Sequence, residues 1–474
     1  MRKRVLALCV AALLMGCGSD STGPSYGAPV LLMVNGVTKA TGLVGMTVIL
    51  EGRELGEARL GNVYFLASDG GELQAATTDW ANEYIVATVP QGTATESKVW
   101  VQTRSGVTDT LDFTLINGQT FSPSNINWTR TTDLPQALQG LDAVFVPVEH
   151  GSARTKYIFT VGGAADGTNV ATGAVFHGAV QESGAISAWD ASVTQLPSER
   201  AYHAVAVATP YTAPLDTTTA AHIYAIGGID AAGAALSSVV YGTVGLDGNL
   251  GTWRNGSDLP APLHSARARV YRGYLYVVGG ATGENTPVSD AYRAPVRADG
   301  TLGAWQPIPG LPKATAHHGL VNFGPYLYVV GGDTAVVAPA NSGTSGTETA
   351  AGYMARIDMR DGTVPGWTAV STPAKARGKH GMMSAGGSVV VTSGMYSGQV
   401  GSSENSYATI GPDGTLSSWG GATGSSIIQL VLGYGIFNQA AISFVDGEGT
   451  GHVVVLGGGI RGSAGGASAG VVYY

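Results

Sequence analysis

Cysteine is nearly absent from this chain: of 474 residues only Cys9 and Cys17 are cysteine. Charge is scarce too. Lys and Arg number 25 against 33 Asp and Glu, so charged residues make up 12%, about half the ~25% usual for soluble domains. The formal net charge is −8, and the body of the chain has no Lys/Arg cluster. An acidic balance without a basic patch argues against a nucleic-acid surface. What is abundant is glycine, with 71 residues, and it follows no triplet period, which excludes collagen. At 44% hydrophobic, with 20 Tyr and 8 Trp, the chain is too apolar and too aromatic to be disordered. Low charge with much Gly, Thr, Val and Tyr suits an all-β protein of many short strands and turns. The length allows two to four domains.

The N-terminus reads as an address. Arg2, Lys3 and Arg4 precede an apolar run, Val5 to Met15, too short for the roughly 30 Å hydrocarbon core of a membrane, which needs about 20 residues. Residues 1–16 fit a secretory signal peptide. Leu14-Met15-Gly16-Cys17 resembles the bacterial lipobox, and the resemblance implies that Cys17 becomes the mature N-terminus and carries the lipid. Residues 17–27, rich in Ser, Gly, Thr and Pro, then form a flexible tether. Loss of the signal removes three basic residues and Cys9, moving the formal charge from −8 to about −11. The mature body then has no cysteine, in a compartment that permits disulfides. Its stability must come from burial and β-ladders. Gly rather than Asp at position 18 implies, by resemblance to enterobacterial sorting, the outer membrane. The expected location is the bacterial cell envelope, on its periplasmic or cell-surface side.

Between residues 28 and 117, apolar residues alternate over Val30–Val34, Thr47–Leu50, Val63–Leu66, Tyr84–Val89, Val99–Thr103 and Asp109–Leu115, with turn residues between. That pattern predicts the strands of a half-buried sheet pair, an immunoglobulin-like sandwich. Gly42-Leu43-Val44-Gly45-Met46-Thr47-Val48-Ile49-Leu50-Glu51-Gly52, then Ile85 to Val89-Pro90, then Val99-Trp100-Val101-Gln102-Thr103 to Gly106 resemble the IPT/TIG family. Its members are commonly spacers or contact modules, and no carboxylate cluster here suits catalysis or metal binding.

From residue 118 to 474 the chain repeats itself. Tryptophans stand at Trp128, Trp189, Trp253, Trp305, Trp367 and Trp419, and small pairs at Gly162-Gly163, Gly227-Gly228, Gly279-Gly280, Gly331-Gly332, Ser393-Gly394 and Gly457-Gly458. The shortest Trp-to-pair and pair-to-Trp intervals are both 26 residues, so the minimal unit is 52. Within a unit come Leu-Pro (Leu259-Pro260, Leu311-Pro312), an apolar strand, and a second strand ending in the pair, as in Tyr276-Val277-Val278-Gly279-Gly280. A third strand such as Val239–Val244 then turns through Asp-Gly (Asp247-Gly248, Asp299-Gly300, Asp413-Gly414) into a short strand ending in Trp. Asp-Gly predicts a tight hairpin with both central residues at positive φ. Four antiparallel strands per unit of about 50 residues resembles a kelch propeller blade. The resemblance implies six blades, the sixth completed by the first strand of the region, Ile126–Thr129, lying beside Gly470–Tyr474, so that no sheet edge stays open. The fifth unit departs from pattern at Ser393, and the sixth has Gly420–Leu430 in place of Leu-Pro. Each Trp is expected to fill the space between neighbouring sheets.

In such an arrangement the fourth-to-first and second-to-third loops share one face. That face is expected to carry Arg200, His203, His264, Arg267, His317, His318, Arg377 and His380, and also the Ser/Thr/Gly-rich insertion Asp333–Gly352. The insertion Thr209–Ala221 falls on the opposite face. Imidazoles converging from several units would suit a metal or an anionic sugar, or would cap the inner strands by hydrogen bonds to backbone. No Asp or Glu recurs at the matching offset, and Glu199 stands alone, so no acid/base carboxylate pair is indicated. The reading assigns no catalytic residue, no metal and no cofactor. Kelch copper oxidases use a Tyr crosslinked to Cys, and the mature body has no Cys. The sialidase Asp-box is not matched either, because Trp253 lies one residue too far from Asp247. Periplasmic six-bladed kelch proteins that epimerise sialic acid imply an enzymatic alternative. The expectation preferred on these grounds is a lipid-anchored binding or scaffold protein that recognises a glycan or a protein partner through the His/Arg-bearing face. It would touch the membrane only through its anchor and bind no nucleic acid.

Overall fold

The computed structural model describes residues 28–34, 39–56, 61–115, 121–150, 153–165, 170–181, 183–191, 193–209, 218–283, 286–336, 347–396, 404–422, 436–445, 451–460, 467–468 and 472–473. The signal, the lipobox with Cys17 and the tether lie outside these residues. The described chain is all-β, and it contains no helix long and apolar enough to cross a membrane.

Residues 28–115 build two facing sheets. One runs Val30–Val34, Thr47–Arg53, Tyr84–Thr88, Thr77–Trp80; the other runs Lys39–Gly42, Leu111–Leu115, Glu96–Thr103, Asn62–Leu66, Glu72–Ala75. All pairings are antiparallel except Lys39–Gly42 with Leu111–Leu115. Burial alternates along Glu96–Thr103, with Ser97, Val99 and Val101 turned inward, as a period of two requires when one face is dry. The shared core holds Val48, Leu50, Phe65, Ile85, Val99 and Phe113, with the Phe65 and Phe113 rings edge to face at 5.2 Å. Short edge strands such as Lys39–Gly42 and Thr77–Trp80, rich in polar and small residues, carry no apolar alternation and so escape a pattern search.

The larger region is a succession of up-and-down sheets. The first comprises Asp142–His150, Ala153–Val161, Val175–Val180 and Ile186–Asp190. The second comprises Ala204–Ala208, Thr219–Ile226, Val239–Gly245 and Arg254–Asn255. The third comprises Arg267–Tyr271, Tyr274–Val278, Ala291–Pro295 and Gln306–Ile308. Then follow Gly319–Phe323, Tyr326–Val330, Gly352–Arg356 and Thr368–Ala369 in the fourth, and Gly381–Ala385, Ser388–Thr392, Asn405–Thr409 and Gly420–Gly421 in the fifth. The sixth has three described strands, Ala440–Val445, Gly451–Leu456 and Val472–Tyr473. The first strand of each sheet lies against the first strand of the next, and that of the sixth lies against that of the first. Six buried clusters fill the gaps between neighbouring sheets, from Val161 with Val205 and Ile223 between the first and second to Ile158 with Val454 and Leu456 between the sixth and first.

The repeated residues are the joints. Five tryptophans pack partly buried against these clusters, and each indole N–H donates to a backbone carbonyl just past the preceding Trp: Trp189 to Thr132 (2.9 Å), Trp253 to Thr194 (3.0 Å), Trp305 to Ser257, Trp367 to Pro309 and Trp419 to Ser371 (2.8 Å each). Tyr224, Tyr276 and Tyr328, on second strands, donate their hydroxyls at 2.7 Å to Gly300, Gly362 and Gly414 in the Asp-Gly turn of the following sheet. A single recurring step of the repeat thus ties each sheet to the next.

Two expectations need correcting. In the Asp-Gly turns only the glycine has positive φ, +79° at Gly248 for example. Asp247 stays right-handed because its carboxylate accepts the Asn249 amide at 3.0 Å, an Asx turn followed by a left-handed glycine. Second, the outer strands of the second to fifth sheets start just after Trp and do not end in it. Before Trp253, Trp305 and Trp419 only a single bridge forms, as between Val244 and Leu250. The pairing expected of Ile126–Thr129 with Gly470–Tyr474 falls largely outside the described residues, of which only 472–473 belong to that segment. Val472–Tyr473 pairs with Val455 and Leu456, while Ile126 and Trp128 sit buried against Met383, Val390, Val453 and Val455, between the fifth and sixth sheets. Residues 423–430, most of the variant segment before the sixth sheet, lie outside the description.

The small region docks on one face of the large one. Ile49 and Val86 join a buried cluster with Tyr271 and Met359. Arg272 pairs with Glu51 and donates to the Met359 carbonyl. Gly324 faces Met46, Gly387 faces Leu43, and Pro412 faces Gly45. Arg272, Gly324 and Gly387 lie in first-to-second turns; Met359 and Pro412 lie in third-to-fourth turns. Among the described residues, the face made by the other two sets of loops has no contact of this kind.

Candidate functional site

The site begins with backbone. Just before each first strand stands one residue in the left-handed region: Gly140 (φ 61°), Tyr202 (54°), Ser265 (54°), His317 (52°), Lys379 (57°) and Asn438 (54°). Their peptide groups join in a closed ring. Tyr202 N donates to Gly140 O (2.7 Å), Ser265 to Tyr202 (2.7 Å), His317 to Ser265 (3.0 Å), Lys379 to His317 (3.0 Å), Asn438 to Lys379 (2.9 Å) and Gly140 to Asn438 (2.9 Å). Five of the six are not glycine, and a left-handed side-chain residue costs of order 1–3 kcal/mol. The hydrogen bond made by every member offsets that strain. Side chains of the ring are buried, and only Gly140 contributes none.

The next position along the chain holds His203, His318 and His380 in the second, fourth and fifth sheets. Each imidazole lies over the first glycine of a neighbouring pair: a Cβ on Gly162, Gly279 or Gly331 would come within 2.6, 2.8 and 2.9 Å of the His203, His318 and His380 Cε1. The absent side chains make room for the rings. Their ring nitrogens lie beside backbone groups, those of Val161 for His203, Thr315 and Val278 for His318 and Val330 for His380, without a well-aligned hydrogen bond among the described residues. Burial, reinforced by Arg200 and Arg267, pushes the His203 pKa down to about 3. Burial, Arg267 and His317 do the same to His318, again to about 3, and His380 falls well below its ordinary value. These imidazoles are neutral.

A polar chain crosses the ring. His264 Nδ1 lies 3.1 Å from Ser265 Oγ, which lies 2.8 Å from His317 Nε2, and His317 Nδ1 lies 3.0 Å from Asp333 Oδ2. Burial lowers the His317 pKa although Asp333 pulls it up, and burial pushes that of His264 down to about 4. Glu348, opposite Asp333 in a single β-bridge, is raised by desolvation and by the Asp333 charge. Hydroxyl, imidazole and carboxylate in this order are the parts of a nucleophile, its base and the group that orients the base. Access decides against that use here. Ser265 is 5%, His317 4% and Asp333 1% exposed, and the adjoining cavity holds only about 20 Å³, room for about one water. The chain plugs this end of the ring.

Of the eight residues singled out from sequence, all but Arg267 are buried. Arg200 sends its guanidinium to the carbonyls of Gly227 and Ser238 (3.2 Å each) and Ala225 (3.5 Å). Arg377 reaches the carbonyls of Glu404 (3.0 Å) and Ser393 (3.4 Å) and pairs with the Glu404 carboxylate at 3.6 Å. Both staple the ends of second and third strands. Arg267 donates to the His318 carbonyl at 3.2 Å and pairs with Asp142 at 3.5 Å. Desolvation lowers the Arg200 pKa to about 10. The structure joins His264 to His317 through Ser265 and sets Arg267 near His203, His318 and His380; Arg200 and Arg377 stay at their own strand ends. Sequence reasoning missed Tyr202, Ser265, Asp333, Lys379 and Asn438. For Tyr202 and Lys379 the one available signal was position, immediately before His203 and His380; Ser265, Asp333 and Asn438 carry no such signal.

Beyond the ring, the six first strands enclose a cavity of about 270 Å³. Among the described residues no group of three or more His, Cys, Asp and Glu side chains is placed to hold a metal ion. No protein-family model matches the chain, and no curated protein matches it. Among solved structures it is similar to YjhT, with a TM-score of 0.47 and 13% identity over 72% of this chain and 95% of that one.

Proposed function

We propose that the chain is a lipid-anchored protein of the bacterial cell envelope in which an Ig-like IPT/TIG module carries a six-bladed kelch-type β-propeller, and that it recognises a glycan or a protein partner through the face opposite that module. Six sheets in cyclic contact, the six-membered peptide ring and Trp128 at the joint of the fifth and sixth sheets support the propeller. The two facing sheets of residues 28–115 support the module, and Leu14 to Cys17 supports the anchor. The observation that carries the recognition role is where the small region sits. It grips first-to-second and third-to-fourth turns, so the tether's end of the molecule faces the membrane and the opposite loops face outward. Those loops would include the insertion Asp333–Gly352, of which 337–346 lie outside the described residues, while the His and Arg side chains beneath them serve as rigid support. Loops on a stiff scaffold are the usual seat of binding.

The test uses the full chain with Cys17→Ser, applied to a glycan array and to envelope-protein fractions. Shortening the insertion within Asp333–Gly352 is expected to abolish a binding signal that survives shortening Thr209–Ala221. Loss only on the Thr209–Ala221 side would contradict the assignment of the face.

A further inference from the structure

We propose that the cavity enclosed by the six first strands binds a small organic monoanion, held by the guanidinium of Arg269. The cavity is a pocket with one mouth. At the start of the first strands the peptide ring and its buried side chains close it. Along three of the strands the lining becomes more exposed away from the ring: Ala204 is buried and Val207 partly exposed, Gly319 buried and Asn322 partly exposed, Gly381 buried and Ser384 partly exposed. The mouth therefore opens on the face that carries the small region, opposite the loop face considered above, and the inference stands apart from that reading.

Charge selects the ligand. The wide cavity of about 270 Å³ and a narrower one of about 20 Å³ beside it are lined by three charged side chains, Asp142, Arg267 and Arg269. Asp142 is fully engaged: its two oxygens accept the amides of Ala143 (2.9 Å) and Val205 (3.0 Å), and it pairs with Arg267. One carboxylate thus faces two guanidiniums, and the surplus positive charge rests on Arg269. Arg269 donates one hydrogen bond, to the Ala268 carbonyl at 2.8 Å, and its remaining N–H groups have no partner among the described residues. Burial lowers its pKa, with Asp142 opposing and Arg267 adding to the effect. A cation so placed is costly without a counter-charge, and its planar fork matches a carboxylate or sulfonate.

The rest of the wall fixes the class more narrowly. Ala143, Val205, Val321 and Met382 are apolar. The hydroxyls of Ser384 and Ser443 are already spent on the carbonyls of Asn322 (3.0 Å) and Ser384 (2.7 Å). Few donors remain for a polyol, and a single guanidinium does not balance a polyanion. The volume falls just under the ~300–1,000 Å³ of pockets for drug-sized ligands. A ligand of one ring with one acidic group fits.

Isothermal titration of the full chain (Cys17→Ser) with benzoate, benzenesulfonate and neutral benzamide tests this. Wild type is expected to bind an anion at least about tenfold more tightly than benzamide, and Arg269→Met to lose that preference while its unfolding midpoint stays or rises. Equal affinity for charged and neutral probes, no binding of either anion, or an unchanged preference in Arg269→Met would overturn the proposal. Should that variant not fold, phenylglyoxal labelling of wild type decides. Benzoate is expected to protect Arg269, read by peptide mass spectrometry, and unchanged labelling counts against the site.

Discussion

Gly279 shows how much of the architecture rests on a missing side chain. Its φ is +58°, and a Cβ there would lie 2.6 Å from the Thr315 carbonyl and 2.8 Å from His318 Cε1. Gly279→Ala is expected to cost about 2 kcal/mol or more in chemical denaturation. Gly70, at φ +85° with nothing within 4 Å of where a Cβ would stand, supplies the comparison: its alanine variant should lose only about 1 kcal/mol. Equal losses would show that crowding by the imidazole is unimportant. The imidazoles also set a pH dependence. His203 and His318 have folded values near 3 against an ordinary 6.5, so the unfolded chain binds more protons. Their contribution to stability is whole above about pH 6.5 and is lost as pH falls toward 3, at about 1.4 kcal/mol per unit for each ring. Replacing His318 by Gln should flatten the stability profile between pH 6 and 4 by about one proton's worth; an identical slope would contradict its burial as a neutral ring.

Elements are joined by one device used repeatedly, a polar group on one sheet meeting a turn or loop of its neighbour. Tyr276 is buried, and its hydroxyl ends on the Gly362 carbonyl at 2.7 Å. Tyr276→Phe leaves that carbonyl without its partner and is expected to cost about 1–2 kcal/mol in urea unfolding, with Tyr328→Phe behaving alike because its bond to Gly414 has the same length. No loss in either variant would mean that solvent satisfies these carbonyls. Such joints are legible in the sequence because each copy repeats the same chemistry: Trp, the small pair and Asp-Gly recur in the same order, at intervals lengthened only by inserted loops. The peptide ring is not. Its six members are Gly, Tyr, Ser, His, Lys and Asn, alike only in backbone conformation, so no side-chain pattern betrays them. The Ser265–His317–Asp333 chain is hidden for the same reason, since it arises from two neighbouring repeats and an insertion. The His and Arg positions stand out, but periodicity does not tell a buried support from an exposed contact. Short polar edge strands likewise leave no apolar signature.

At the scale of the whole molecule everything depends on closure: the sixth sheet must lie against the first. Phe145 and Phe444 stack there at 4.7 Å with ring planes 7° apart, and Gly140 bonds to Asn438 across the same seam. With no cysteine after residue 16 apart from Cys17, that joint can be probed cleanly. The most direct measurement is crosslinking of a Phe145→Cys, Phe444→Cys variant (with Cys17→Ser) by a short bifunctional maleimide, read by mass spectrometry of the monomer. A closed six-sheet ring predicts an efficient intramolecular crosslink between these two positions. Absence of that crosslink, while a matching cysteine pair on the second and third sheets does react, would contradict it.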